Sequence, residues 1–401
     1  MKNHLKIMLG MLFPALTVSA QQTIDTYIAG NSLVHHIVQV NQTPSQETSA
    51  PHWMQFLSEE AGNSFTISGN FMSLPFYLDQ NQLPLESNWS FDSVPTGWDS
   101  WSTPFNQSAI DNVVFTPFNF VQHRAPYETY EFGDTTLSPI TASDTLIDWV
   151  IENKPGTSIY IYEGWPDMGT YTGGAFPPTP SEWANYQADA GYNSNFHSWF
   201  LELHDSLVDR FPNECVKLIP VGPIISELLN QPPYNSIPVD SLYEDDAPHG
   251  RPSIYLLAGM ITYMALYQEQ APLSYQPPME FIDPLIISEY PNLVNHIWSE
   301  LLAFNFSSGS SRVFCDTSLS VSELEENVTL EAYPNPTSDF LYVKANVTEG
   351  QLVLRNLVGT IVAHGALGLE MNVQSLPAGY YFLELQDANS NPLANRKVLI
   401  R

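Results

Sequence analysis

Positive charge is scarce in this chain: 13 of its 401 residues are Lys or Arg against 43 Asp and Glu, for a formal net charge of −30. Such a field repels phosphodiester backbones and anionic headgroups, which are held by basic patches, so nucleic-acid binding is not expected. Cysteine is almost absent, with only Cys215 and Cys315. Two thiols make neither a disulfide scaffold nor a cysteine-rich zinc site. They permit one disulfide in an oxidising compartment or two buried thiols, and sequence gives no distance with which to choose. Long apolar runs are also missing. The segment from Ile7 to Val18, broken by Gly10 and Pro14, is too short for a membrane span, which needs about 20 residues. There is no His-Glu-x-x-His, no Gly-x-Ser-x-Gly and no phosphate-cradling glycine loop. Zinc peptidases, the classical α/β-hydrolases and nucleotide-dependent enzymes lose support accordingly.

What is present begins with Lys2 and Lys6, the short apolar run and small residues at Val18-Ser19-Ala20, the pattern of a signal peptide over 1–20. The chain is therefore read as exported, with no transmembrane segment. At 43% hydrophobic and 12% aromatic it can bury one large core and a second small one. Two domains are expected, at 21–315 and 331–401, joined by a polar linker at 316–330.

In the first domain, short apolar runs alternate with helical segments. The runs are Thr26 to Ala29, Ser64 to Ile67, Asn112 to Thr116, Ser158 to Tyr162 and Val216 to Val221. Near-continuous apolar character suits strands covered on both faces of a parallel sheet. Helices are expected from His52 to Glu60 before Gly62, Ala142 to Glu152, Trp199 to Phe211, and Ser253 to Gln268 after Pro252. The result is an α/β fold, a three-layer α/β/α sandwich around a roughly five-stranded parallel sheet. The stretch from Phe71 to Ile110, rich in Pro, Asn, Ser and Trp, reads as an insertion near the active-site rim. The second domain shows short strands between turns, as in a small all-β, Ig-like sandwich.

The last residues carry a specific resemblance. YPNPTSDFLYV, LRNLVGTIV, LPAGYYFLEL and KVLIR, in that order, resemble the type A C-terminal sorting domain of type IX secretion cargo. This resemblance implies recognition by the type IX secretion machinery and delivery to the cell surface or medium.

Chemistry is sought in the α/β domain. A serine at the C-terminal end of the first parallel strand lies where such sheets place their ligands, and Ala29-Gly30-Asn31-Ser32-Leu33 supplies Ser32. Asp245-Asp246-Ala247-Pro248-His249-Gly250 precedes the last helix, where a histidine can reach that serine while an aspartate orients its other nitrogen. These blocks resemble the Gly-Asp-Ser-Leu and Asp-x-x-His blocks of the GDSL or SGNH hydrolase superfamily, from about Ile24 to Gln268. The resemblance implies Ser32 as nucleophile, His249 as base and, by spacing, Asp246 rather than Asp245 as its partner. Asn31 replaces the usual aspartate, and the Gly-x-Asn block is missing. Asn119 after the third strand and Gly69 after the second stand in as oxyanion donors, with the Ser32 backbone N–H. Gly62-Asn63-Ser64-Phe65 repeats the triplet, but Ser64 begins a strand and so falls at the opposite edge. His35 and His36 lack a third ligand at metal spacing. The activity implied by the resemblance is hydrolysis of an ester, with an acylated polysaccharide as the first substrate class and no metal or organic cofactor required. Hydrolysis of a lipid or small ester, or glycan or surface binding without catalysis, is the alternative. Trp89, Trp98, Trp101, Trp165 and Trp183 fall in expected loops, where exposed rings can stack on sugars.

Overall fold

The computed structural model describes residues 21–36, 49–71, 74–79, 85–89, 91, 93–117, 124–131, 133–315, 330–347, 350–356, 361–377, 379–386 and 392–401. The expected signal peptide and nearly all of the expected linker lie outside these residues. The chain divides into two compact units, Met1–Asp316 and Thr317–Arg401.

The first unit is built on five parallel strands, β1 Thr23–Gly30, β2 Ser64–Phe71, β3 Asn112–Phe115, β4 Ser158–Glu163 and β5 Val216–Pro220, in the order β2-β1-β3-β4-β5. Alternate residues of each strand face opposite ways, and both faces are buried. Ile28, Ile67, Val114 and Tyr160 pack with the helices Ala50–Ala61, Val221–Leu229, Pro252–Tyr267 and Tyr290–Ala303. Tyr27, Val113, Phe115 and Ile161 pack with Pro139–Asn153 and Asn195–Arg210. The three-layer α/β/α reading is therefore correct. The chain runs from β1 to β2 on one side and returns to β3 on the other. The strand order thus reverses at the end of β1, where open α/β sheets form their crevice.

Local chemistry explains several boundaries. The Ala50–Ala61 helix ends at Gly62, which is left-handed at φ 76° and whose N–H bonds the Glu59 carbonyl. Strand β2 continues to Phe71, so Gly69 lies inside it, level with Ile28, rather than after it. A Cβ there would stand 2.4 Å from the Ile28 carbonyl oxygen, so only glycine lets the two strands pair this closely. The Phe71 to Ile110 stretch holds a helix, Leu74–Asp79, and a 3₁₀ turn, Phe105–Gln107. Several helices fell outside the sequence reading, among them Pro180–Ala190, Val221–Leu229 and Tyr290–Ala303, which follows the helix expected to be the last. Pro180–Ala190 starts with a Thr179/Glu182 capping box, while Val221–Leu229 follows β5 with no residue between and is buried at every position but Glu227. Cys215 and Cys315 form a disulfide, Cα atoms 5.6 Å apart, tying the start of β5 to the end of this unit.

The second unit holds two antiparallel sheets. Strands β6 Leu330–Tyr333, β7 Phe340–Ala345 and β10 Met371–Asn372 form one, in the order β10-β7-β6. The other comprises β8 Gln351–Arg355, β9 Ile361–Ala366, β11 Gly379–Gln386 and β12 Pro392–Ile400, in the order β12-β11-β8-β9. Leu341 and Val343 of the first sheet share a core with Leu352, Leu354, Leu383, Leu385 and Val398 of the second. No helix among the described residues is long and apolar enough to cross a membrane.

Candidate active site

Strand β1 delivers Asn31 and Ser32 to the crevice at the strand-order reversal. The Asn31 carbonyl accepts from the N–H groups of Val34 and His35, and its Oδ1 accepts from Leu33 N–H at 2.9 Å, so the chain turns sharply as it leaves the sheet. Asn31 Nδ2 reaches Thr116 Oγ1 at 3.4 Å, bridging the ends of β1 and β3. The side-chain amide thus has a local turn to hold. Ser32 stands at the head of this turn, partly exposed, and its carbonyl accepts from the Tyr255 hydroxyl at 2.7 Å. Its own N–H donates to no group among the described residues.

His249 arrives on a hairpin-like loop from Leu242 to Arg251. Arg251 N–H bonds the Leu242 carbonyl, Glu244 N–H bonds the His249 carbonyl, and Tyr243 bridges Gly250. Closure between residues 244 and 249 makes Asp245 the first residue of the turn, with its carboxylate directed inward. Asp245 Oδ1 accepts from His249 N–H at 3.1 Å, and Oδ2 lies 2.8 Å from His249 Nδ1. A carboxylate only accepts, so the ring proton is on Nδ1 and the lone pair is on Nε2, the arrangement a base needs. Spacing in the sequence favoured Asp246, and here the structure corrects it. The Asp246 carbonyl accepts from Gly169 N–H, and its carboxylate faces Thr172 Oγ1 at 3.5 Å, away from the imidazole. Asp-x-x-His is a sequence interval, whereas hairpin closure decides which carboxylate turns inward.

Ser32 and His249 come to one place from opposite ends of the domain. Tyr255, six residues beyond His249, holds the Ser32 carbonyl, and His36, four residues beyond Ser32, stacks on the His249 ring with centroids 3.7 Å apart and planes 11° from parallel. No hydrogen bond joins Ser32 to His249 among the described residues. Burial holds the His36 pKa below the usual histidine range, the adjacent His249 adds to this, and Asp245 opposes it. Glu244, 3.9 Å from His36 Nε2, is pushed upward by burial. His35 is buried against Trp89, Phe91 and His52, with Nδ1 2.5 Å from Ser49 Oγ, and burial lowers it to about 4. His35 is therefore a neutral packing residue.

The remaining sequence candidates fall elsewhere. Ser64 opens β2 at the opposite edge of the sheet. The Gly69 carbonyl accepts from the Asn88 and Trp89 amides, so its peptide edge serves the strand's outer side. Asn119 lies outside the described residues. Sequence reasoning passed over Asn70, which pairs in register with Ala29 and is wholly buried with neither amide atom hydrogen-bonded. An uncompensated buried amide costs on the order of 1–3 kcal/mol, a signal only a folded structure can display. Among the described residues, no group of three or more His, Cys, Asp or Glu side chains could hold a metal ion.

A family model described as a secretion system C-terminal sorting domain matches residues 331–401. Those residues are a secretion system C-terminal sorting domain. The sorting domain marks the protein for export to the cell surface or medium. No curated protein matches the chain. Among solved structures, a protein from Slackia heliotrinireducens provisionally assigned as an SGNH hydrolase is similar at 15% identity, over 60% of this chain and 98% of that one, with a TM-score of 0.32. A GDSL-like lipase, also provisionally assigned, from Parabacteroides merdae is similar at 11% identity, over 63% and 98%, with a TM-score of 0.35. A family 3 carbohydrate esterase from Clostridium thermocellum is similar at 13% identity, over 60% and 94%, with a TM-score of 0.31.

Proposed function

We propose that the exported chain is a serine esterase that removes acetyl or other acyl groups from polysaccharide. The observation that carries this reading is the Asp245–His249 pair at 2.8 Å, set on the loop that packs against the Ser32 turn. His249 Nε2 takes the Ser32 hydroxyl proton as Oγ attacks the ester carbonyl, and Asp245 stabilises the imidazolium that results. The Ser32 backbone N–H and the Asn119 side-chain amide are the proposed donors to the oxyanion, while Gly69 contributes by allowing β1 and β2 to approach. His249 then protonates the departing alcohol, and water resolves the acyl-enzyme by the same route.

Turnover of 4-nitrophenyl acetate and release of acetate from acetylated xylan test this reading. Ser32→Ala and His249→Ala should each lower kcat by about four to six orders of magnitude, and the double variant should be little worse, since the two act as one unit. Near-normal turnover by folded Ser32→Ala would remove the nucleophile from the proposal. A second reading, a glycan-binding domain without catalysis, draws support from the missing Ser32–His249 hydrogen bond. Absence of turnover by the wild type on both substrates would favour it, although catalytic hydrogen bonds in unliganded enzymes are often long.

A further inference from the structure

Away from Ser32, the segment between β2 and β3 forms an open groove of about 420 Å³ against the last turns of the Pro139–Asn153 helix. That helix end faces the start of β3, because Lys154 Nζ, just beyond it, donates to the Ser108 carbonyl. The groove therefore lies toward the N-terminal edge of the sheet, opposite the strand ends that carry Ser32. We propose that it binds a neutral polysaccharide, a pyranose chain laid across the indole of Trp101.

Three observations support this occupant. First, Trp101 is 85% exposed, an unusual position for the largest apolar side chain, while Trp98 and Phe105, which line the same groove, are buried. An indole offers a flat face to the C–H side of a pyranose ring, and its quadrupole favours such a contact. Second, the loop is fixed before any ligand arrives. Asp99 Oδ1 accepts from Trp101 N–H, the Asp99 carbonyl accepts from Ser102 and Thr103 N–H, Trp98 Nε1 donates to the Thr103 carbonyl, and Ser100 Oγ accepts from Ser87 N–H. Trp98, Phe105 and Trp149, which also line the groove, pack in sequence, with ring centroids 5.4 and 5.1 Å apart. A platform held in this way loses little conformational entropy on binding. Third, no side chain lining the groove is charged, in a protein of net charge −30. Asn106 and Asn153 supply amides at the same surface, which suits hydroxyl groups and offers nothing to neutralise a carboxylate or phosphate.

The test uses the full exported chain with Ser32→Ala, so that any hydrolysis cannot confound binding, and titrates xylohexaose, cellohexaose and polygalacturonate by calorimetry and tryptophan fluorescence. At least one neutral hexasaccharide should bind, with an affinity at least tenfold above that for polygalacturonate. Trp101→Ala should weaken that binding at least tenfold and Trp101→Phe less. In the Ser32 background, Trp101→Ala should leave turnover of 4-nitrophenyl acetate unchanged. Failure of both hexasaccharides to bind, equal binding by Trp101→Ala, or preference for the anionic polymer would overturn the proposal. Because binding is read without turnover, its failure is distinct from failure of the esterase reading.

Discussion

Replacing each of two adjacent aspartates by asparagine separates the proposed catalytic pair defined by the hairpin from the one defined by sequence spacing. Asp245→Asn keeps an acceptor for the His249 backbone N–H, now at 3.1 Å, so the loop should hold its shape. It removes the charge that lies 2.8 Å from Nδ1 and allows an amide N–H to face that nitrogen instead. The ring proton then moves to Nε2, and the base loses its lone pair. At a fully buried aspartate this change costs about 10⁴ in kcat. The Asp245 side chain is 43% exposed, so water competes and the expected loss is about 10² to 10³, or about 2.7–4 kcal/mol of barrier. Asp246→Asn loses only a 3.5 Å approach to Thr172 and should stay within about threefold of wild type. Steady-state hydrolysis of 4-nitrophenyl acetate across neutral pH, with circular dichroism to confirm folding, measures both. A larger loss in Asp246→Asn than in Asp245→Asn would refute the hairpin reasoning.

Three further outcomes follow from the packing. His204 is buried with Nε2 3.1 Å from the Val216 carbonyl and Nδ1 facing Arg312, and burial lowers it from 6.5 to about 4. Its depressed folded value means that stability is present above pH 6.5 and is lost as pH falls toward 4, up to about 3 kcal/mol. Urea midpoints measured from pH 7 to 4.5 should therefore fall less steeply in a folded His204→Gln variant. The Cys215–Cys315 disulfide closes a loop with a sequence separation of 100, so Cys215→Ser with Cys315→Ser should lower unfolding free energy by about 4.7 kcal/mol in the chain-entropy account, read by chemical denaturation. Gly69→Ala places a methyl 2.4 Å from the Ile28 carbonyl and should cost more than about 2 kcal/mol, read as a lower thermal midpoint. An unchanged midpoint would show that β1 and β2 can separate locally.

The sheet was legible because its strands are short, apolar and buried on both faces, a pattern that survives without tertiary context. β3 and β4 begin at Asn112 and Ser158, where the sequence placed them. Ser32 at the end of β1 followed from the same pattern. The end of β2 was not legible, because Gly69 reads as a turn until the neighbouring Ile28 carbonyl is in place. Val221–Leu229 hid for a different reason: it continues directly from β5, so its first apolar residues read as an extension of the strand.

The sequence by itself determined the alternation of strands and helices, the acidic character and the sorting signal, since each is a property of local residues or of composition. Which aspartate meets His249 was decided by the tertiary structure. That choice depends on hydrogen bonds between Glu244 and His249 and between Arg251 and Leu242, which close the loop only when its ends are held by the folded domain. The pairing of Cys215 with Cys315 was settled in the same way, because a Cα separation of 5.6 Å across 100 residues is a fact of three-dimensional packing. So was the exposure of Trp101: the sequence supplies an indole, and only the surrounding fold decides whether that indole is covered.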